Sequence, residues 1–319
     1  MSVVENLPDT APPPAPDAAA PLARVAQRAA DWSATAGRLN AAVTRTRKAT
    51  LGLSLAGAAA ATLASQMASE TPGRAGLLVL GAVILAAGNF ISARLGGPER
   101  IASWTRARAI AEAMKSEAFR YAARAAPYDD PATARERLPA EARRIEEGGD
   151  DLLPELTQSK APGSAPRDML SPTEYRDRRV VAQIDLYYRP RAELSRRRAS
   201  LLRKAEFGVA LAATLITAAA GATGKTIPFT GVPFDIAAVT ALLTTVGAGL
   251  LSHAEASRYG YLAASYLATA NRLEAELAGF DAAAQPGGDW SGWVARCEAV
   301  MSAETQGWQA RWTRPPGGG

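Results

Sequence analysis

Along the chain, four stretches are free of charged side chains, 49–69, 75–93, 207–224 and 236–252, and the acids and bases crowd into the segments between them. Each approaches the roughly 20 apolar residues that an α-helix, rising about 1.5 Å per residue, needs to cross a hydrocarbon core of about 30 Å. The stretches come in pairs. A short break around Glu70 to Arg74 joins the first two and another around Gly224 to Phe234 joins the last two, with Gly and Pro marking turns. The fold class expected is therefore all-α, a membrane protein with two transmembrane helical hairpins, four spans in all, and long cytoplasmic helical extensions. The runs are rich in Ala, Gly and Thr rather than Leu and Ile, which weakens the insertion signal of each. A soluble bundle with Ala-rich cores is the competing reading.

Outside the runs the pattern changes to a helical period. Ile101, Trp104, Ala107, Ala111, Met114, Ala118 and Tyr121 recur every three to four positions, and Tyr259, Leu262, Tyr266, Leu273 and Leu277 do roughly the same after the second hairpin. Nearly equal spacings separate Lys48 from Trp104 and Lys204 from Tyr259, so basic helix, hairpin and exit helix are written twice. This sets the expected domains: a disordered tail at 1–21, a first two-transmembrane unit at 22–125, a linker at 126–171 with a short helix near 132–147, a second unit at 172–312 and a tail at 313–319. The second unit closes with a helix carrying Trp290, Trp293, Cys297, Val300, Met301, Trp308 and Trp312. That side either packs on the cytoplasmic helices or lies among lipid headgroups, where Trp is favoured.

Charge orients the hairpins. Residues 38–48 net +4, 94–108 net +3 and 189–206 net +5, whereas the turns at 70–74 and 224–235 net zero. Basic flanks stay in the cytoplasm, so both termini are expected there, at the inner membrane of a bacterium. The first 21 residues show neither a basic start nor an apolar run, and are expected to be a tail and not a signal peptide. With one His (His253) and one Cys (Cys297), a four-ligand zinc site or an internal disulfide cannot be built, and a catalytic triad would have to use an imidazole at the end of an apolar run. The reading is of a protein that is not an enzyme and takes no cofactor.

Within the runs, small residues recur at Gly52, Ala56, Ala60 and Ala64, and at Ala237, Ala241, Thr245 and Gly249, a pattern that lets helices approach closely in lipid. Gln66, Asn89, Thr217, Thr240 and Thr244 are polar residues placed to bond between helices or to line a pore. Gly224-Lys225-Thr226 resembles the end of a phosphate-binding loop, but Ala219 stands where that motif needs Gly and no strand leads in. The Arg196 to Arg198 cluster beside a span is read as a topology or lipid contact, not as a nucleic-acid site.

The helix from Trp104 through Arg108, Glu112, Lys115, Glu117, Arg120 and Tyr121, followed by Pro127 and Tyr128, resembles the segment after the hairpin in SLATT domains. These are SMODS and SLOG-associating two-transmembrane effector domains of bacterial conflict systems. The second half is similar to another branch of that family through Tyr175, Arg176, Arg179, Gln183, Tyr187, Tyr188 and Ala192, then Tyr259, Tyr266 and Asn271, and finally Glu298, Glu304 and Trp308. Two tandem copies are thus expected, over about 40–125 and 172–312. Pro190 departs from the pattern, and a proline there is expected to kink or end the incoming helix. The resemblance implies a pore-forming or membrane-perturbing effector in antiviral defence. It also implies a homo-oligomer in the lipid bilayer, triggered through a nucleotide-signalling or ligand-sensing partner protein. A membrane-anchored scaffold that conducts nothing is the alternative.

Overall fold

The computed structural model describes residues 19–223, 226–229 and 232–313, with side chains except at 223–235 and from 308 onward. The expected tails at 1–21 and 313–319 lie outside this range apart from their inner ends, which are helical. Helix α1 (Ala19–Ser65) starts within the first of them, with Pro21 buried in its opening turn, where a missing N–H is harmless. At 47 residues it is about 70 Å long. Its N-terminal half buries Leu22, Val25, Ala29, Trp32, Ala36, Leu39 and Val43, one face of a 3.6-residue period.

The apolar half of α1 turns through residues 66–73 into α2 (Arg74–Leu95), with Gly73 supplying the left-handed backbone at φ 95° that the turn needs. The two helices close on small residues. A Cβ added to Gly81 would lie 3.2 Å from the Gly57 carbonyl oxygen, and one added to Gly57 would lie 2.6 Å from Leu85 Cγ. The stripe in use on α1 is Gly57, Ala60 and Ala64. Gly52 and Ala56, expected in it, are exposed, because a strict four-residue repeat drifts off a face whose period is 3.6. On α7 (Ile236–Ser257), Ala237, Ala241 and Thr245 likewise face outward, whereas Gly249 lies against Leu51 of α1.

Among the described residues, three helices are long and apolar enough to cross a membrane: α2, the rod Pro172–Ala222 and the rod Ile236–Leu277. The apolar end of α1, the remaining one of the four expected spans, stops at Ser65 and is short of that standard. Large apolar side chains project from the spans, among them Val79, Val83 and Phe90 on α2 and Phe207 and Leu215 on the second rod. The all-α expectation holds, with one small non-helical feature in the second hairpin break. Strands β1 (Thr226–Phe229) and β2 (Val232–Asp235) pair antiparallel, Thr226 opposite Asp235 and Phe229 opposite Val232, in the break between the last two apolar runs. Phe and β-branched residues favour extended pairing there, and two prolines oppose continued helix.

Pro190 does not end its helix. After the capping box of Ser171 and Glu174, α5 (Pro172–Tyr175) runs through two π-helical segments, Arg176–Val181 and Gln183–Tyr188, directly into α6 (Arg189–Thr223). The Arg189 N–H bonds five residues back to the Ile184 carbonyl. In this wider register the carbonyl four residues before Pro190 is not forced against the ring, which is how a proline is carried inside a continuous rod.

The remaining elements pack together away from the apolar spans. Helix α3 (Pro98–Ala122) follows α2 after Gly96 and Gly97 and lies back along α1, burying Trp104, Ala107, Ala111, Met114, Ala118 and Tyr121 as its periodicity predicts. Residues 126–171, expected as a linker with a helix near 132–147, hold α4 (Pro131–Glu147), capped by Asp130, and a 3₁₀ turn at Asp150–Glu155. They strap onto α1: Trp32 Nε1 donates to Glu146 at 2.8 Å, and the Ser159 N–H donates to Asp31 at 2.8 Å. Helix α8 (Tyr259–Leu277) leaves α7 at Arg258, whose φ of 49° bends the rod Ile236–Leu277, and the short α9 (Phe280–Ala283) leads to α10 (Trp290–Thr313). One hydrophobic core, from Leu22 to Met301, joins both units. Trp290 and Trp293 stack at 5.4 Å against it, so this end of α10 packs on the helices outside the apolar spans. The side chains of Trp308 and Trp312 lie outside the described residues.

Candidate functional site

Two buried charges tie the start of the second unit to its last helix. Arg179, 2% exposed, donates from Nε and Nη2 to the two carboxylate oxygens of Glu298 at 2.9 and 2.7 Å, and the Tyr175 hydroxyl donates to Glu298 Oε1 at 2.9 Å. The guanidinium also lies 4.6 Å above the Phe119 ring of α3. Burial opposes its charge, but Glu298 more than offsets this and raises the Arg179 pKa. A bidentate fork with an aromatic face is a geometry that lysine would not reproduce.

Beside this tie a cavity of about 590 Å³ opens between α3 of the first unit and the π segments and α10 of the second. Its charged wall is Arg108, Glu112 and Lys115 from α3, Arg178 and Arg179 from the first π segment, and Glu304 from α10. The three on α3 share a face because they are spaced by four and three residues. Arg108 donates to the Tyr187 hydroxyl at 2.6 Å, and Lys115 pairs with Glu112 at 2.9 Å. Burial works against the Glu112 charge, yet Lys115, Arg108 and Arg179 outweigh it and hold its carboxyl at about 2. Glu304 goes the other way: burial raises its pKa, with Arg108 only partly opposing. Its Oε1 is buried with no hydrogen-bond partner. Tyr187, Tyr188 and Tyr266 pack edge to face or tilted, 5.1 to 6.1 Å apart, behind the cavity. A second recess of about 450 Å³ lies along α1 and shares Arg108, Glu112, Lys115, Ser164 and Tyr187 with the first.

Residues 175–308 match the family described as SMODS and SLOG-associating 2TM effector domain 1. The second unit is a SLATT domain. Residues 30–136 match a different family, described as a protein of unknown function (DUF4231), so the expectation of two tandem SLATT copies holds for one half only. No curated protein and no solved structure matches the chain. The SLATT match begins at Tyr175 and runs past Glu304, so the buried tie lies inside the domain, while the cavity sits on its seam with the first unit.

Of the positions that carried the resemblance to SLATT domains, Arg108, Glu112, Lys115, Arg179, Gln183, Tyr187 and Tyr188 meet at the cavity, with Tyr266 packed behind it and Trp104 lining the second recess. Glu117 and Tyr121 belong to a neighbouring cluster, where the Tyr128 hydroxyl donates to Glu117 at 2.7 Å and burial raises the Glu117 pKa. Tyr259 sits apart under Arg198, and Asn271 is exposed on α8. Sequence reasoning missed Arg178 and Ser164 as cavity residues; nothing in the linker pattern brings 164 to α3.

The polar span residues do not converge. Thr217, Thr240 and Thr244 return their hydroxyls to the carbonyls of Ala213, Ile236 and Thr240, four residues back on their own helices. Gln66 lies at the turn end of the first hairpin, and Asn89, exposed on α2, lies roughly 20 Å along the axis toward the other end.

Proposed function

We propose that the chain is a non-enzymatic effector of a bacterial conflict or antiviral defence system. It resides in the inner membrane with four spans and both termini cytoplasmic. The observation that carries this reading is the SLATT domain at 175–308 together with apolar helices whose large side chains face outward. The basic flanks at 38–48, 94–108 and 189–206 support the orientation. The apolar end of α1, packed on α2 by Gly57 and near α7 through Gly249, completes a four-helix cluster and serves as the remaining span. On activation, copies associate in the bilayer and open a path for ions, in answer to a nucleotide-signalling or ligand-sensing partner.

The test is membrane potential in cells induced to express the full chain, with fractionation of the same culture. Depolarisation by membrane-located protein is the expected result. A membrane-located chain that leaves the potential unchanged, and liposomes that stay tight at every oligomeric state, overturn the pore. The second reading, a non-conducting scaffold presenting its cytoplasmic helices, draws on the Thr217 and Thr244 hydroxyls, which bond within their own helices and not across to a neighbour.

A further inference from the structure

We propose that the cavity between the two units binds a small uncharged molecule that presents an amide N–H to Glu304 and an apolar body to the rest of the wall. At about 590 Å³ the cavity lies within the range of small-molecule sites, roughly 300–1,000 Å³. Much of its lining is apolar: Ala113 of α3, Ala182 and Leu186 on the rod that becomes α6, Tyr188 beside them, and Met301 of α10. Leu186 is 79% exposed, so an apolar body laid along this wall removes surface that the fold itself leaves in water.

The unmet requirement of the cavity is at Glu304. This side chain is 6% exposed, and its Oε1 is buried with no hydrogen-bond partner. A carboxylate oxygen is an acceptor only, and a desolvated one without a donor is costly. Glu304 lines both this cavity and a smaller recess of about 310 Å³ between α8 and α10. The carboxylate therefore has space on two sides to turn about its soft last torsion and bring Oε1 to a ligand.

What the site lacks is a donor and not a countercharge. Lys115 is paired with Glu112 and Arg179 with Glu298, while Arg178 is exposed. Arg108 donates to Tyr187, and although burial raises the Glu304 pKa, Arg108 is near enough to oppose that rise. A cationic ligand would meet Arg108, Lys115 and Arg179 on the same wall, and an anion would meet Glu112 and Glu304. An uncharged N–H serves Oε1 with neither penalty. The carbonyl that accompanies it in an amide has donors in Gln183 and Gln306, which also line the cavity. Because α3 belongs to the first unit and the other walls to the second, a bound molecule spans the seam between them.

The test is a ligand-observed NMR titration of the full chain in detergent micelles with a series of one shape: benzamide, N,N-dimethylbenzamide, benzoate and benzamidine. Benzamide is the uncharged N–H donor, the second lacks the donor, the third is an anion and the last a cation. Benzamide is expected to saturate with a dissociation constant of about 1–10 mM, as a ligand of its size allows, and the other three to bind about tenfold more weakly or worse. Glu304→Met, of similar length with no acceptor, and Ala113→Phe, which fills the cavity, should each weaken benzamide about tenfold. Thermal melts establish that both variants fold, and the series on the parent chain decides the matter even where one does not. No saturable binding of benzamide, equal or tighter binding of any other member of the series, or benzamide binding unchanged in folded Glu304→Met overturns the proposal. Binding is read without any membrane activity, so its failure leaves the effector reading standing and the converse also holds.

Discussion

Replacing Glu298 with Ala attacks the tie between the base of the second rod and the last helix. Arg179 loses acceptors at 2.9 and 2.7 Å and the Tyr175 hydroxyl loses one at 2.9 Å, all in a region closed to water. Removing one partner of a buried ion pair costs about 3–5 kcal/mol, and the orphaned hydroxyl adds about 1 kcal/mol. The contact of Arg179 with the Phe119 ring persists, so the guanidinium is not wholly abandoned. A net loss of about 4 kcal/mol lowers the Tm of a chain of this size by roughly 10 °C. Thermal unfolding in detergent, followed by tryptophan fluorescence, reads the site directly because Trp290 and Trp293 lie 5.7 and 5.9 Å from the Tyr175 ring. Glu298→Gln, which keeps an acceptor, should lose about half as much. The double change Arg179→Met with Glu298→Leu should return most of the stability, since a packed apolar pair avoids the desolvation that the ions bear. A Glu298→Ala chain melting within about 2 °C of the parent refutes the argument, because a buried charge stripped of its partner cannot be silent.

Four further outcomes are expected. Gly57→Ile should destabilise the first hairpin by several degrees in the same melt, whereas Gly52→Ile, with nothing within 4 Å of its added Cβ, should leave it unchanged. Glu112, held at about 2 in the folded chain, contributes stability that is complete above its ordinary value and lost as pH falls toward about 2. Glu112→Gln should therefore flatten the acid limb of a Tm-against-pH curve. Cys297 is fully buried and its thiol is pushed up to about 12 by burial, so a maleimide should label it only after unfolding, as mass spectrometry would register. Asn89→Leu should leave the protomer's melting temperature unchanged because the amide is exposed, while altering depolarisation in cells if Asn89 faces a conducting path.

The uncharged runs and the exit-helix periodicity were legible because each is a local pattern. Both hairpins and the buried face of α3 follow from them, with Trp104, Ala107, Ala111, Met114, Ala118 and Tyr121 all buried. Finer register was not. A four-residue count pointed to Gly52, but the helix brings Gly57 to the partner, and only the position of Gly81 on α2 decides between them. Pro190 suggested a break, yet the π segments before it absorb the proline without one, a backbone choice with no residue code of its own. The cavity is the least legible feature. Its wall is drawn from α3, Ser164, the π segments and α10, and no spacing along a chain reveals that such distant stretches meet. The familiar positions Arg108, Glu112, Lys115 and Arg179 were visible as a pattern, but their convergence is a tertiary fact.

The unbroken course of the second rod has a mechanical consequence. From Pro172 to Ala222 there is no loop in which a twist could dissipate, and the two π segments sit at its base, where they form part of the cavity wall. Trading one π turn for an α turn shifts the downstream helix by one residue, which is a rotation of about 100° and a travel of about 1.5 Å. Such a turn would carry Phe207, Leu211 and Leu215, now on the outer surface, around toward a different neighbour. A change of register at the cavity wall would thus be delivered, undiminished, to the apolar surface at the far end of the rod.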